Sequence, residues 1–107
     1  MNPEVSIDVA RLRLGAKSAV GMLKLLGNED RLLLLCQLSQ GECCVSELEE
    51  ALGIRQPTLS QQLAVLRNEN MVATRREGKN IYYRISQPDV LRVLETLYGL
   101  YCKEESS

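Results

Sequence analysis

Residues 56–67 read Gln56-Pro57-Thr58-Leu59-Ser60-Gln61-Gln62-Leu63-Ala64-Val65-Leu66-Arg67. The leucines at 59, 63 and 66 are spaced i, i+4 and i+7, so they predict a helix whose apolar stripe faces the core. Proline suits the first turn of such a helix, where no backbone N–H is needed. The positions that face away from the stripe near the helix start carry hydroxyl or amide groups: Thr58, Ser60, Gln61 and Gln62. Such groups bind phosphates and base edges, so the stretch is typical of a helix that reads the DNA major groove, with a solvated surface helix as the alternative.

A second short helix is predicted just before this one. Ser46 is expected to cap it, Glu47 and Glu49 lie in its first turn, where the helix dipole favours acids, and it ends near Leu52. Gly53 follows, and the next helix begins three residues later. Two short helices joined by a tight turn with glycine, the second with a polar front, predict a helix-turn-helix.

A basic β-hairpin is predicted after the helix pair. Residues 71–76 and 80–85 favour β-strands, and the glycine at position 78 between them suits a turn with positive φ. The tip of the hairpin carries four polar or basic side chains, Arg75, Arg76, Lys79 and Asn80. In this position a basic hairpin is typical of a wing that contacts phosphates or the minor groove, and a solvated hairpin is the alternative.

Helices are also predicted at both ends of the chain. The first spans about residues 8–26 and ends at Gly27-Asn28, where positive φ is expected. Residues 29–39 are apolar nearly all round and predict a buried hub helix. Residues 87–101 form a last helix that is too apolar for a free surface element. Because the first helix also contains two glycines that would permit close approach, the first and last helices together predict a dimer face.

Length and composition indicate the class of protein. The 107 residues are expected to form a single domain over 1–107, with flexible tails at 1–7 and 103–107. The net charge of −1 argues mildly against a nucleic-acid partner, although a local basic patch matters more than the total. No apolar run reaches the ~18–20 residues of a membrane span, and the start lacks a signal-peptide profile. We therefore expect a cytoplasmic protein with no membrane partner.

The sequence contains no histidine, which excludes several kinds of chemistry. Histidine-based acid–base catalysis, Ser–His and Cys–His nucleophile pairs and histidine-containing zinc sites all need that side chain. Without an export signal, the four cysteines, Cys36, Cys43, Cys44 and Cys102, are expected to be reduced thiols. A thiol oxidoreductase is disfavoured because no Cys-x-x-Cys motif is present. We expect a protein that is not an enzyme and that holds no cofactor.

The order of the elements and several motifs resemble the ArsR/SmtB family of dimeric winged-helix repressors. The matching motifs lie within residues 12–102 and are Asn28-Glu29-Asp30-Arg31-Leu32, Val45-Ser46-Glu47-Leu48, Gln56 through Leu63, and Arg75-Arg76-Glu77-Gly78-Lys79 with Tyr82-Tyr83. The resemblance implies a mainly α-helical fold: four helices, a β-hairpin wing and a fifth helix, assembled as a homodimer through the first and last helices. It also implies that Gln56, Thr58, Ser60 and Gln61 read double-stranded operator DNA, while the basic residues of the wing grip phosphates.

The metal sites of that family are incomplete in this chain. The arsenic-type Cys-Val-Cys-Asp-Leu run is matched by Cys44-Val45-Ser46-Glu47-Leu48, which has a serine in place of the second thiol. The zinc-type site needs histidines, which the chain lacks. The chain instead resembles the persulfide and reactive-sulfur sensors of the BigR/SqrR type. Their two cysteine motifs are matched by Arg31-Leu32-Leu33-Leu34-Leu35-Cys36 and by Leu100-Tyr101-Cys102.

This second resemblance implies a switch in which persulfide or other sulfane-sulfur donors link Cys36 to Cys102. The reduced dimer would bind its operator, and a disulfide or polysulfide cross-link would release it by changing the spacing of the two reading helices. Two buried, inert cysteines are the plain alternative. Cys43 and Cys44 lie outside this pattern, and they are expected either to fill a turn or to have a role of their own. A regulator of soft metals or arsenite through Cys43, Cys44 and Cys102, and a ligand-independent counter-silencer of DNA, also remain as alternatives.

Overall fold

A computed structural model describes residues 8–102 of the chain. The elements in chain order are α1 (Val9–Leu26), α2 (Glu29–Leu38), β1 (Cys43–Cys44), α3 (Val45–Leu52), α4 (Thr58–Asn68), β2 (Val72–Glu77), β3 (Asn80–Ile85) and α5 (Pro88–Tyr101). The predicted winged helix-turn-helix, mainly α-helical with a β-hairpin wing, is confirmed. The tails predicted at residues 1–7 and 103–107 lie outside the described residues.

The core is built almost entirely from aliphatic side chains that the helices turn inward. The leucine stripe of α4 is fully buried, since Leu59, Leu63 and Leu66 are at most 1% exposed, and this confirms the spacing argument. Residues from α2, α3, β2, α5 and the loops close the core around that stripe: Leu34, Leu35, Leu38, Leu48, Ile54, Met71, Val72, Val90 and Leu94. The prediction that α2 is apolar and buried nearly all round holds for one side only, because Leu33 is 39% exposed.

The start of α3 differs from the prediction. The helix begins at Val45, and Cys44 occupies the N-cap position that was expected for Ser46. The Glu47 carboxylate accepts a hydrogen bond from the Cys44 backbone N–H at 2.9 Å, and this bond lowers the pKa of Glu47. An acid in the first turn therefore reaches back to fix the helix start, so no serine cap is needed there.

The junction between α1 and α2 also differs from the prediction. Gly27 follows α1 with φ of −76°, so the expected positive φ is wrong at this position. A side chain would still be crowded there, because an added Cβ would lie 3.1 Å from the Leu23 carbonyl oxygen. Asn28 begins α2 as its N-cap, and its side-chain oxygen accepts a hydrogen bond from the Arg31 N–H at 3.0 Å. Asn28 therefore does more than follow the end of α1, because its side chain also caps the start of α2.

The wing belongs to a three-stranded antiparallel sheet with the order β1-β3-β2. Strands β2 and β3 pair from Val72 with Ile85 to Glu77 with Asn80, and Gly78 closes the turn with φ of 62°, as predicted. The short strand β1, which pairs Cys43 with Tyr83 and Cys44 with Tyr82, was not predicted. These two cysteines therefore extend the sheet, and the expectation that they fill a turn is wrong.

Much of the apolar surface of α1 and α5 is exposed. Leu26 is the only buried residue of α1. The large exposed apolar side chains of the two helices are Val9, Leu12, Leu14, Val20, Leu23, Leu91, Tyr98, Leu100 and Tyr101. A Cβ added at Gly15, Gly21 or Gly99 would meet nothing within 4 Å. No helix within residues 8–102 combines the length and apolar character needed to cross a membrane.

Candidate DNA-binding surface and thiol pair

The exposed front of α4 is short and uncharged. Ser60 and Gln61 are exposed, and Thr58 is half-buried at the first helical position. The Gln56 side-chain oxygen accepts a hydrogen bond from the Ser60 backbone N–H at 3.0 Å. Gln56 therefore satisfies one of the N–H groups that a helix start leaves without a partner, in addition to standing beside the exposed front.

Gln62 lies apart from that front. It is half-buried, and its side-chain oxygen accepts a hydrogen bond from an Arg31 guanidinium nitrogen at 2.9 Å. The orientation of the amide follows from chemistry, because a guanidinium carries only donors. The structure thus places Gln62 where α4 meets α2, although its side chain was predicted to face DNA together with that of Gln61.

Arg31 was missed as a functional candidate in the sequence. Its Nε donates to the Leu25 carbonyl at 2.8 Å, and a terminal nitrogen donates to the Lys24 carbonyl at 3.1 Å. Both carbonyls belong to the last turn of α1, which has no following helical N–H groups to bind them. The one feature of the sequence that could have indicated a special role for Arg31 is that it is a lone arginine at the start of a run of leucines.

The basic tip of the wing is partly neutralised. Arg75 donates to Glu42 at 2.8 Å and to Glu77 at 2.8 Å, and its guanidinium carbon lies 4.7 Å from the centre of the Tyr82 ring. The bonds to Glu77 and Glu42 raise the pKa of Arg75 above its ordinary value, so the side chain stays charged. Two carboxylates nevertheless surround one guanidinium, and Glu42 in this role was not anticipated because it lies 33 positions away from its partner.

The other predicted wing residues lie around the turn. Arg76 donates from Nε to the Gly78 carbonyl at 3.4 Å, which is a long hydrogen bond. Lys79 and Asn80 are exposed at the turn itself. Arg76 and Lys79 carry positive charges at the tip, and among residues 8–102 neither forms an ion pair with Glu42 or Glu77.

Cys36 opens into a groove between α2 and α5. The groove has a volume of about 570 Å³, and the residues that line it include Leu33, Leu91, Tyr98 and Glu95 besides Cys36 itself. Cys36 is half-buried, while Leu33, Leu91 and Tyr98 belong to the exposed surface of the two helices. A small reagent therefore has access to this thiol from the groove.

Cys102 stands near Cys36 although 66 positions separate them in the sequence. Burial raises the pKa of Cys36, and the negative charge of the Cys102 thiolate raises it further. The second effect requires proximity, because Coulomb repulsion weakens with distance. Cys102 itself is exposed and caps the C-terminus of α5, where its N–H donates to the Tyr98 carbonyl at 2.8 Å. Cys102 is therefore close enough to Cys36 for its charge to act there.

Cys43 and Cys44 lie elsewhere, in β1 beside the middle of β3. Cys44 is buried, and its sulfur lies 3.3 Å from the Ser46 hydroxyl. Burial first, and then the charges of Glu47 and Cys44, raise the pKa of Cys43. Among residues 8–102, no three cysteine or acidic side chains converge on a point where a metal ion could be held. The described part of one chain therefore does not assemble the set of Cys43, Cys44 and Cys102.

Comparisons with known proteins agree with this architecture. Residues 28–74 match the family model described as "Bacterial regulatory protein, arsR family". The chain is 51% identical to the biofilm growth-associated repressor of Agrobacterium fabrum over 86 residues, which are 80% of this chain and 74% of that protein. It is 37% identical to the transcriptional activator HlyU of Vibrio cholerae over 97 residues, or 91% of this chain and 90% of that one.

Solved structures give the same result. The transcriptional repressor BigR from Xylella fastidiosa superposes with a TM-score of 0.84 at 40% identity, covering 92% of this chain and all of that one. Reduced HlyU from Vibrio cholerae superposes with a TM-score of 0.82 at 39% identity, covering 87% and 98% of the two chains. These relatives regulate transcription and are not enzymes. From its sequence relatives and its winged helix-turn-helix, the chain belongs to the ArsR family of bacterial regulatory proteins.

Proposed function

We propose that this protein is a homodimeric repressor that releases operator DNA when Cys36 and Cys102 become joined through sulfur. The observation that carries the proposal is the position of Cys36, in the groove between α2 and α5 and within the electrostatic reach of Cys102. Repression, as opposed to activation, is taken from the name of the relative that is 51% identical.

A dimer accounts for the apolar surface that one chain leaves open. Leu12 and Leu23 on α1 are 54% and 62% exposed, and Tyr98 on α5 is 59% exposed. Extensive exposed apolar surface marks an interaction site in a soluble protein. Two copies joined through α1 and α5 would present two α4 helices to the same side of a duplex. Such helices fit successive major grooves when they stand ~34–36 Å apart.

DNA contact is divided between α4 and the wing. Thr58, Ser60 and Gln61, with Gln56 beside them, are suited to base edges and phosphates because they combine donors and acceptors on a short, accessible front. Basic residues are absent from this front. We therefore assign the binding of DNA phosphates to the wing tip, where Arg76, Lys79 and Asn80 lie.

The cross-link follows from ordinary thiol chemistry. The Cys36 thiolate attacks the terminal sulfur of a persulfide, RSSH, which converts Cys36 to its own persulfide and releases RSH. The Cys102 thiol then displaces the outer sulfur as hydrogen sulfide and leaves a disulfide, so two thiols are oxidised and one sulfane sulfur is reduced. Addition of a second sulfur before closure would give a trisulfide in the same way. Because α5 carries both Cys102 and part of the exposed apolar face, the bridge would alter the dimer that positions the α4 helices.

The raised pKa of Cys36 sets the conditions for this reaction. Only the thiolate is nucleophilic, and its fraction rises about tenfold per pH unit below the pKa. Burial and the neighbouring Cys102 charge both disfavour the thiolate. Cys36 is therefore expected to react slowly at neutral pH and faster as the pH rises, so the test is best made near pH 8.

Serine substitution tests the proposal. A DNA ligand is first selected from a random-sequence pool with the reduced protein, and its dissociation constant is then measured before and after treatment with glutathione persulfide. We expect the treatment to weaken binding by the parent about tenfold or more, within the usual range of coupling between two sites. Cys36→Ser and Cys102→Ser are expected to bind equally well with and without treatment. Intact mass under non-reducing conditions should show the bridge in the parent alone.

Cys43→Ser is the matched control, because this cysteine is half-buried and has a raised pKa but lies in β1 beside the wing. It is expected to respond as the parent does. Full release by Cys36→Ser or by Cys102→Ser would refute the proposal. Tight stoichiometric binding of cadmium or arsenite, with release that depends on Cys43, would instead identify a soft-metal regulator.

A second prediction concerns the acids around Arg75. Because Glu42 competes with phosphate for this guanidinium, Glu42→Gln is expected to tighten DNA binding about threefold at low salt and to steepen its salt dependence. The folded state should change little, since exposed ion pairs contribute ~0–1 kcal/mol. Fluorescence anisotropy over a salt series measures both effects. Glu50→Gln, the same charge change at an exposed position of α3, is the control, and an equal gain there would show that only net charge matters.

A further inference from the structure

Arg31 connects three helices through one side chain. Its guanidinium donates to the Lys24 and Leu25 carbonyls of α1 and to the Gln62 side chain of α4, while its backbone belongs to α2. The three bonds measure 2.8 to 3.1 Å and use three of the five N–H donors of the group. Because a guanidinium is planar and rigid, it fixes the end of α1 relative to α4 more firmly than three separate contacts would.

Few other groups anchor α1. Leu26 is its one buried residue, and Met22 and Leu25 pack partly against the core. The rest of the described helix is exposed. A movement of α1 would therefore reach the rest of the fold mainly through the last turn of α1, where Arg31 binds the Lys24 and Leu25 carbonyls.

The other end of the connection lies on the helix that carries the proposed DNA-reading front. Gln62 follows Gln61 directly in α4, and its amide is oriented by Arg31 because its oxygen must face the donors. Leu59 and Leu63 are fully buried on the same helix, so α4 moves as a unit with this side of the core. A displacement at Gln62 would thus shift the Gln61 side chain as well.

We propose that Arg31 is a positioning residue that transmits the arrangement of α1 at the dimer face to α4. This inference rests on the proposed function, since it names how the bridged and reduced states of the dimer come to differ in DNA affinity. Arg31 touches neither the thiols nor, in this role, the DNA. It acts through the α1 carbonyls and through Gln62.

The test measures the ratio of the DNA dissociation constants of the bridged and reduced protein. Arg31→Lys keeps the charge but loses the planar fork, and Gln62→Met keeps the side-chain size but loses the acceptor. Both variants are expected to lower the ratio at least ~5-fold relative to the parent. Gln62→Glu retains an acceptor for Arg31 and is expected to keep the ratio within about twofold of the parent, even if its added charge weakens DNA binding in both states. Arg67→Lys, in the last turn of α4, is the control for an arginine-to-lysine exchange.

The outcomes separate a positioning role from a structural one. A merely structural role would lower stability or weaken both states equally, which leaves the ratio unchanged and overturns the inference. Intact mass checks that every variant forms the bridge to the same extent. If the parent responds to persulfide and both Arg31→Lys and Gln62→Met respond equally well, Arg31 has no transmitting role. If the parent itself does not respond, the proposed function fails, and this inference fails with it. Gln62→Met keeps the test decisive if Arg31→Lys does not fold.

Discussion

Leu59→Ala is expected to destabilise the folded protein by about 2–5 kcal/mol, the usual cost of truncating a fully buried leucine. Leu59 is completely buried and lies on the stripe through which α4 packs on the core. The loss combines the transfer free energy of the removed methyl groups with the cavity that they leave. Chemical denaturation at one fixed protein concentration measures the change, because the stability of a dimer depends on concentration.

Gln61→Ala is the matched variant on the exposed side of the same helix. It is expected to change stability by less than about 0.5 kcal/mol. If its amide contacts a base, DNA binding should weaken by ~1–3 kcal/mol, or about five- to 150-fold. The two variants therefore separate the packing role of α4 from its proposed DNA-reading role. Equal stabilities for Leu59→Ala and the parent, or equal DNA affinities for Gln61→Ala and the parent, would contradict the assignment of the two faces.

Leu23→Glu is expected to convert the dimer to a monomer without unfolding the chain. Leu23 is 62% exposed in α1, so the new carboxylate remains hydrated in a single chain but would be buried in the proposed interface. Loss of the dimer removes the tethering of two half-site contacts. We therefore expect DNA affinity to fall about 100-fold or more. Sedimentation equilibrium measures the assembly state, circular dichroism measures the helix content, and anisotropy measures DNA binding.

Ser18→Glu provides the comparison for this change. It adds the same charge to an exposed position of α1, on the side of the helix away from Leu12 and Leu23. This variant is expected to remain dimeric and to bind DNA nearly as the parent does. A dimer that survives Leu23→Glu, or one that is lost equally in both variants, would place the interface elsewhere.

The parts of the fold with strong local patterns were predictable from the sequence. The leucine spacing in α4, the glycine at position 78 in the wing turn and the proline at the start of α5 each determine local geometry through neighbouring residues only. The proposed pairing of Cys36 with Cys102 was expected from a family resemblance. Local periodicity could not have suggested it, because Cys36 lies in α2 and Cys102 follows α5, 66 positions later.

The features that the sequence did not predict all depend on contacts between side chains. The preference of a residue type for a given secondary structure does not encode such contacts. A polar pattern alone could not show that Gln62 turns toward Arg31, since both Gln61 and Gln62 are compatible with an exposed helix face. Nor could local charge show that Glu42 approaches Arg75. Serine is favoured at helix N-caps in general, but here the Glu47 carboxylate already binds the backbone N–H at the helix start, so the cap position falls at Cys44.

The two-residue strand β1 has a mechanical consequence. It ends at Cys44, and α3 begins at the very next residue, Val45, while its ladder partners Tyr82 and Tyr83 lie in the middle of the wing. No loop separates β1 from α3, so we expect the hairpin and the helix pair to move together. Each protomer should then contact the duplex as a rigid body. Any change in DNA contact would have to come from a change in how the two protomers are arranged relative to each other.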